Sequence, residues 1–417
     1  MRDRDLYAQI LGLCRPWIVS DVVLDVKKQG VTVRVEPADD AALLCPDCQK
    51  PAPRYDSRLR RWRHLDTCQF TTILEADVPR IECAEHGVLQ VHVPWAEPNS
   101  HFTSLFEALT IDWLREANLT AVARLMNLTW DEVDGIMLRA VERGLARRQI
   151  EVPTAMGVDE TSFQKRHEYV TVVVDAEQSK VLHVADDRKS ESLAAFFRQF
   201  TDQERQKIEV VSMDMHEPYV KATREALPDA DQKIAFDKFH VAKHLGDAVD
   251  KVRRQEHAAL MAQGDWTLKG TKYVWLTNPA NINDTVTQGM FEALKATNLK
   301  TAKAWALKEC AMGLWKFVRR GAARKAWESW LSWANRSRLE PVTRVAGTIR
   351  RHLWGIVNAI VLGATNAVSE SINSRIQWIK KMACGFRNRV RFRNAIYFHL
   401  GGLDLYPATA GFTHTKA

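Results

Sequence analysis

Met156-Gly-Val-Asp159, Tyr169-Val-Thr-Val-Val-Val-Asp175, Lys180-Val-Leu-His-Val-Ala185 and Ile208-Glu-Val-Val-Ser-Met-Asp214 are short valine-rich runs, and three of them end in aspartate. Runs of this length and composition read as β-strands. The unbroken apolar stretch from Tyr169 to Val174 reads as a strand covered on both faces. The spacing predicts a helix over about 191–200 and another over about 218–226. A fifth strand follows at Lys233-Ile-Ala-Phe236, and a long helix starts at Asp237.

Three strands, a helix, a strand, a helix and a strand is the element order of an RNase H-like fold. In that order the first and fourth strands are neighbours, so Asp159 and Asp214 are expected to face each other at the strands' C-terminal ends. Two carboxylates this close repel unless a cation lies between them. Magnesium or manganese, which prefer oxygen ligands, suit such a pair. Two such ions activate a hydroxyl or water and stabilise the leaving oxygen in an in-line attack on phosphate.

A third acid is expected from a later helix. Glu370 is the candidate, within Ala364-Thr-Asn-Ala-Val-Ser-Glu370-Ser-Ile-Asn-Ser-Arg-Ile-Gln-Trp-Ile-Lys-Lys381. Asn366 at i−4 and Asn373 at i+3 share its face, and Ile372, Ile376 and Ile379 lie on another. Glu160, Asp175 and Glu217 are neighbouring acids read as solvated or supporting. From Ser371 through Leu403 there is no Asp or Glu, against seven cations: Arg375, Lys380, Lys381, Arg387, Arg389, Arg391 and Arg393. A run this one-signed points to a polyanion, and double-stranded DNA is the expected partner.

Outward toward the N-terminus, Cys45-Pro-Asp-Cys48 and Cys83-Ala-Glu-His86 form two pairs on strand-like segments such as Val31–Val35, 71–78 and 88–93. Four N/S ligands in two such pairs suit a closed, structural zinc site, a zinc ribbon. His64 and Cys68 stand between the pairs as alternatives for one position. After Pro94–Pro98, helical periodicity covers about 103–115. Leu119–Met137 then reads as a helix-turn-helix, with a turn at 127–129, Thr129 as N-cap and Glu132 at the capping-box position. Acids at the start of the second helix make it a poor phosphate contact.

The segment 254–363 is helical and rich in tryptophan: Trp266, Trp275, Trp305, Trp315, Trp327, Trp330, Trp333 and Trp354. It reads as an all-helical insertion whose rings are mostly core, with a cluster at Arg319, Arg320, Arg324 and Lys325. The expected architecture is therefore α/β and multidomain. A zinc-ribbon domain spans 1–98 and a helix-turn-helix domain 99–150. An RNase H-like catalytic core spans 151–253 and resumes at 364–417, interrupted by the insertion. Net charge is +8 and seven cysteines are present, an odd number that does not suit a disulfide framework. No apolar run of about 18 residues and no apolar leader is seen, so a cytoplasmic protein without membrane spans is expected.

The chain resembles transposases of the ISL-three group of bacterial insertion sequences over nearly its whole length. The resemblance is carried by Cys45-Pro-Asp-Cys48, the helix-turn-helix, Gly157-Val-Asp-Glu-Thr-Ser162, Tyr169–Asp175, Asp214-Met215, Phe236-Asp-Lys-Phe-His-Val241, and Thr365-Asn366 with Glu370 and Asn373. It implies a DDE-type enzyme with Asp159, Asp214 and Glu370 as catalytic acids. Such an enzyme binds terminal inverted repeats and moves an element by hydrolysis and transesterification. Asp237 and His240 resemble a supporting C/D-x-x-H motif. Family members often carry two cysteines in the second knuckle, where this chain has His86, and a glycine after the third acid, where it has Ser371.

Joining two element ends in one complex implies a homodimer, acting on the bacterial nucleoid. Two other functions compete: a non-catalytic zinc and helix-turn-helix DNA-binding regulator, and a metal nuclease of the same fold. The three intact acids argue against the first; a joining assay separates the second.

Overall fold

Alternating valines build the first sheet. In a computed structural model describing residues 3–164, 168–277, 281–282 and 284–408, Val31, Val33 and Val35 point inward from one strand, while Thr32, Arg34 and Glu36 do not. The chain forms two units: 1–149 with 382–384 and the residues from 397 on, and 150–381 with 385–396.

The first unit begins with α1 (Asp3–Ile10), β1 (Trp17–Asp25), β2 (Gly30–Pro37), β3 (Arg54–Thr67), β4 (Phe70–Cys83) and β5 (Gly87–Gln90). The sheet order is β1-β2-β4-β3, with β5 also paired to β4. Trp95 sits edge-on to both Trp17 and Trp62 in its core, at 4.9 and 5.5 Å between ring centroids. The strand expected to reach Val93 stops at Gln90. Val91 N still donates to Pro79 O, but Pro79 has no N–H to return the bond, so the ladder ends.

Helices α2 (Ser104–Glu116), α3 (Leu119–Met126) and α4 (Trp130–Arg147) complete this unit. Asn127 takes a left-handed conformation, φ 52°, which reverses the chain after α3. Thr129 and Glu132 form the reciprocal capping box that starts α4. The helix-turn-helix is thus present as read. Arg143 and Arg139 on α4 both bind Glu107, which is 1% exposed on α2, and Arg143 also holds Glu97. Removing either partner of this buried group would leave an uncompensated charge.

His64 is 3% exposed and bonds Thr103 Oγ1 through Nδ1 at 2.9 Å, away from the metal-ligand cluster. Thr103 Oγ1 also accepts the Phe106 amide, leaving its hydroxyl hydrogen for the imidazole. Burial first, and then the charge of Arg63, push the His64 pKa down to about 4. The unfolded state therefore binds the extra proton between about pH 6.5 and 4, and stability falls as pH falls through that window. We expect the first unit to lose about 2 kcal/mol between pH 7 and pH 5 from this group alone. Urea denaturation of wild type and His64→Gln at both pH values checks this. An equal pH slope in the two proteins would contradict it.

The second unit holds β6 (Ala155–Gln164), β7 (Glu168–Asp175), β8 (Lys180–Ala185), α5 (Ser190–Phe197), α6 (Asp202–Gln206), β9 (Val210–Met213), α7 (Glu217–Ala226), α8 (Ala230–Lys233) and β10 (Ile234–Phe236). The sheet order is β10-β9-β6-β7-β8. β6 runs parallel to β9 and antiparallel to β7, and β9 runs parallel to β10. From Val170 to Asp175 every residue of β7 is buried, as expected for a strand covered on both faces. β6 does not end at Asp159 as its apolar run suggests. It continues to Gln164 because the β7 hairpin partner extends beyond the point where β9 stops.

Helices α9 (Lys238–Met261), α10 (Lys272–Leu276), α11 (Thr285–Lys295), α12 (Lys300–Gly313), α13 (Arg320–Arg336) and α14 (Glu340–Leu362) follow. Their buried residues, including Trp275, Trp327 and Trp330, share one continuous core with Met156, Val158 and Phe236 of the sheet. Trp266 and Trp333 are exposed. Gly355 lets α14 approach β10, since a Cβ there would lie 2.4 Å from the Phe236 ring. The chain continues into α15 (Ala367–Met382) and α16 (Arg389–Leu400). No single described helix is long and apolar enough to cross a membrane; α14 and α15 together have the length and apolar composition but are bent by 98°.

Candidate active site and zinc centre

The strand period places the acids. Gly157 and Ser212 pair across β6 and β9, as do Val158 and Met213, so Asp159 and Asp214 are the next residues on adjacent parallel strands. Met156, Val158, Val211 and Met213 enter the core. By alternation, Gly157 and Asp159 share the opposite face. That face receives α15.

Three polar bonds run along α15 onto β6. Asn373 Nδ2 donates to Asp159 Oδ2 at 2.8 Å, Gln377 Nε2 to Thr161 Oγ1 at 3.0 Å, and Lys380 Nζ to the Ser162 carbonyl at 2.5 Å. The spacing 373, 377, 380 is one helical stripe. Gln377 was not singled out from the sequence, although that stripe is visible there. Ile372, Ile376 and Ile379 are buried, each under 4% exposed. Glu370 stands one turn before Asn373, at the start of the helix.

Gly157 is the residue whose importance sequence alone did not reveal. A Cβ at this position would lie 2.1 Å from Ser369 Oγ and 2.9 Å from Val174 Cγ2. Only a bare backbone lets α15 lie this close. Asn366 and Ser369, each 2% exposed, carry buried polar atoms beside it that have no hydrogen-bond partner among the described residues. Gly157→Ala is expected to cost about 1–3 kcal/mol by overpacking. Ser369→Ala, which removes the clashing oxygen, should recover part of that loss in the double variant. Chemical denaturation of the three proteins decides it: an unchanged midpoint in Gly157→Ala contradicts the contact.

Each aspartate accepts the next backbone amide through Oδ1, Glu160 N to Asp159 at 2.7 Å and Met215 N to Asp214 at 2.6 Å. Their Oδ2 atoms are directed elsewhere: Asp159 to Asn373, and Asp214 toward His240 Nε2 at 3.9 Å. His240 Nδ1 lies 3.2 Å from Asp237 Oδ2. Asp237 is 4% exposed and caps α9 by accepting the Phe239 amide at 3.1 Å. The His240 imidazole thus has an acid near each ring nitrogen, Asp237 at Nδ1 and Asp214 at Nε2.

Burial, with added repulsion from Asp214 and Glu160, raises the Asp159 pKa to about 6. Burial and the charge of Asp237 raise that of Glu370. Burial opposes charge on His240, but Asp237, Asp214 and Asp159 outweigh it and hold its pKa above the ordinary value. Asp159 is repelled by Asp214 and Glu160, and Glu370, exposed at the start of α15, by Asp237; a hard divalent cation would relieve the charge at the two aspartates. The neighbouring acids have other tasks. Asp175 accepts the amides of Glu177 and Gln178 in the turn after β7, and Glu160 pairs with Arg188.

The basic run divides. Arg389 and Arg393 bind Asp186, Arg389 also binds Glu168, and Lys380 serves the Ser162 carbonyl. These three tie α15 and α16 to the β6–β8 strands. Arg375, Lys381, Arg387 and Arg391 are exposed, as is Trp378 at 52%.

In the first unit, Cys45, Cys48, Cys83 and His86 converge with all ligand atoms within 4.8 Å of one another. Cys48 and Cys83 sulfurs are 3.7 Å apart, and His86 Nδ1 lies 3.8 Å from Cys45 Sγ and 3.6 Å from Cys83 Sγ. A tetrahedron with Zn–S bonds of ~2.3 Å has edges of about this length. Gln49, φ 59°, and Gly87, φ 70°, supply the left-handed turns after each pair. The Glu85 amide, followed by His86, lowers the Cys83 pKa to about 6, favouring the thiolate a metal needs. This is a closed, structural zinc ribbon. Cys68 is exposed and outside it.

Residues 42–86 match a family model described as the zinc-finger of transposase IS204/IS1001/IS1096/IS1165. Residues 91–141 match the helix-turn-helix domain of transposase family ISL3, and residues 156–396 match the ISL3 model described as a transposase. The chain is 29% identical over 425 residues to the transposase for insertion sequence element IS1557 of Mycobacterium tuberculosis, covering 93% of each chain. It is 28% identical over 363 residues to the transposase for insertion sequence element IS1001 of Bordetella parapertussis, covering 84% of this chain and 87% of that one. Together with the helix-turn-helix, these matches define a DNA-binding transposase. The chain belongs to the ISL3 family.

Proposed function

We propose that the second unit is an RNase H-like catalytic core interrupted by a helical insertion, and that it cuts and joins DNA at the terminal inverted repeats of an insertion sequence. The observation that carries this reading is the parallel β6–β9 register. It sets Asp159 beside Asp214, while Asn373, one turn from Glu370, bonds Asp159.

Asp159, Asp214 and Glu370 would hold two magnesium or manganese ions. Bound there, the ions would activate water or a DNA 3′-hydroxyl and stabilise the leaving oxygen. The residues of the chain do the positioning. Asn373 fixes the Asp159 carboxylate, and Asp237 orients His240 toward Asp214. The burial and added repulsion that raise the Asp159 pKa support the reading, since cation binding would displace the proton and offset the cost of the buried charge.

The basic run faces DNA, with Arg375, Lys381, Arg387 and Arg391 exposed, and with Lys380, Arg389 and Arg393 also holding the helices. Trp378, exposed between Arg375 and Lys381 on the helix of Glu370, suits contact with a DNA end. A homodimer brings two ends together on bacterial nucleoid DNA, and target DNA enters the same site.

The test incubates the purified protein with a labelled duplex carrying the native element end, a target plasmid and magnesium. Cut and joined products support transposition. Cut products without joining would favour a nuclease, and tight binding with neither product would favour a regulator.

A further inference from the structure

Beside Asp214 the second unit opens a cleft of about 670 Å³. Its walls come from three helices: Arg224 on α7, His244 on α9, and Arg351, His352 and Trp354 on α14. Asp214 lies at its edge, so the cleft is continuous with the candidate active site.

The cationic groups are arranged unequally. The Arg224 guanidinium lies 5.0 Å from the Trp354 ring centroid, and Phe236 meets the same indole at 68° and 5.0 Å. Trp354 is thus already covered, and Arg224 is placed by this ring and by Asp231, whose Oδ1 accepts from Arg224 Nε at 2.7 Å. His352 Nδ1 is engaged by the Thr348 carbonyl at 2.9 Å. Arg351 is exposed, and its hydrogen bond to Thr348 Oγ1 is long, 3.4 Å. Two guanidiniums and three imidazoles, those of His216, His244 and His352, therefore line a space whose acids, Asp214 and Glu217, lie just before and at the start of α7.

Guanidinium groups recognise phosphate by charge and by paired N–H donors. The cleft is too small for a duplex, whose major groove alone is ~12 Å wide. A single nucleotide fits. We propose that this cleft binds the backbone phosphate next to the scissile one, on the DNA strand held at Asp214, with Arg351 and Arg224 as its ligands. This rests on the transposase reading above. It assigns the strand's path away from the acids, over α7 and α14.

Phosphate neutralisation tests it. Native-end duplexes are made with one methylphosphonate at each position flanking the scissile phosphate, and cleavage is measured in magnesium. Wild type should slow roughly 10- to 100-fold at one flanking position. Arg351→Ala should be slow by a similar factor on native DNA, and neutralising that position should cost it little more. Arg351→Lys should recover part of the rate. If Arg351→Ala stays as sensitive as wild type at every position, the proposal is overturned. Anisotropy with the same duplexes in calcium gives the readout without cutting. A position-specific loss of affinity that vanishes in Arg351→Ala supports the cleft even if no end is cut, and that combination sinks the transposase reading alone.

Discussion

Asp214→Asn is expected to lower magnesium-dependent end cleavage by at least ~10³-fold while leaving end binding nearly unchanged. The substitution keeps the shape of the side chain and removes its charge, so the strand pairing at Val158–Met213 is undisturbed. On the proposed mechanism, what is lost is a carboxylate that would hold the ions. A second consequence separates this from general damage. Asp159 is raised to about 6 by burial and by the Asp214 charge among others. Its folded value lies above the unfolded one of about 3.9, so the ionised form costs stability above about pH 6, and the cost vanishes below about pH 4. Removing the Asp214 charge reduces that cost. Because Asp214 also attracts His240, the two effects oppose each other, and in EDTA at pH 7.5 Asp214→Asn should melt close to the wild-type temperature. A variant that is inactive and also less stable at pH 7.5 would point to misfolding. Full activity would remove Asp214 from the chemistry.

Loss of zinc should have the other large effect, confined to the first unit. Cys45 and Cys83 are buried in the core that contains Trp17, Trp62 and Trp95. Ligands from residues 45–48 and 83–86 close the loop between β2 and β3 onto the β4–β5 turn. Structural zinc sites contribute roughly 10–16 kcal/mol of apparent binding free energy, comparable to or above the whole stability of a domain. Cys45→Ser, or a strong chelator, should release about one zinc per chain and abolish the tryptophan signature of this unit. The second unit should keep its own unfolding transition. Metal content, tryptophan fluorescence and calorimetry on the same samples read this. An unchanged first transition after complete zinc removal would show that the sheet stands without the ion.

The residue pattern alone determined those features whose causes are close along the chain. Valine runs became strands because side chains alternate across a pleated strand, and the burial of β7 on both faces is written in an unbroken run. The capping box at Thr129 and Glu132 spans three residues, and each zinc knuckle spans four, so both were legible before any fold. The candidate acids were read as strand-end residues. That reading misplaced the end of β6, because a strand's length depends on a partner that lies elsewhere in sequence.

Tertiary structure decided the rest. It set His64 against Thr103 and away from the cysteines. It drew Lys380, Arg389 and Arg393 inward to Ser162, Glu168 and Asp186 and left other cations of the same run exposed. It also made Gly157 indispensable, because Ser369, more than 200 residues later, passes over it. Charge and periodicity are local properties of a sequence. Which charge is satisfied, and which backbone must stay bare, depends on what the completed fold brings to within a few ångströms.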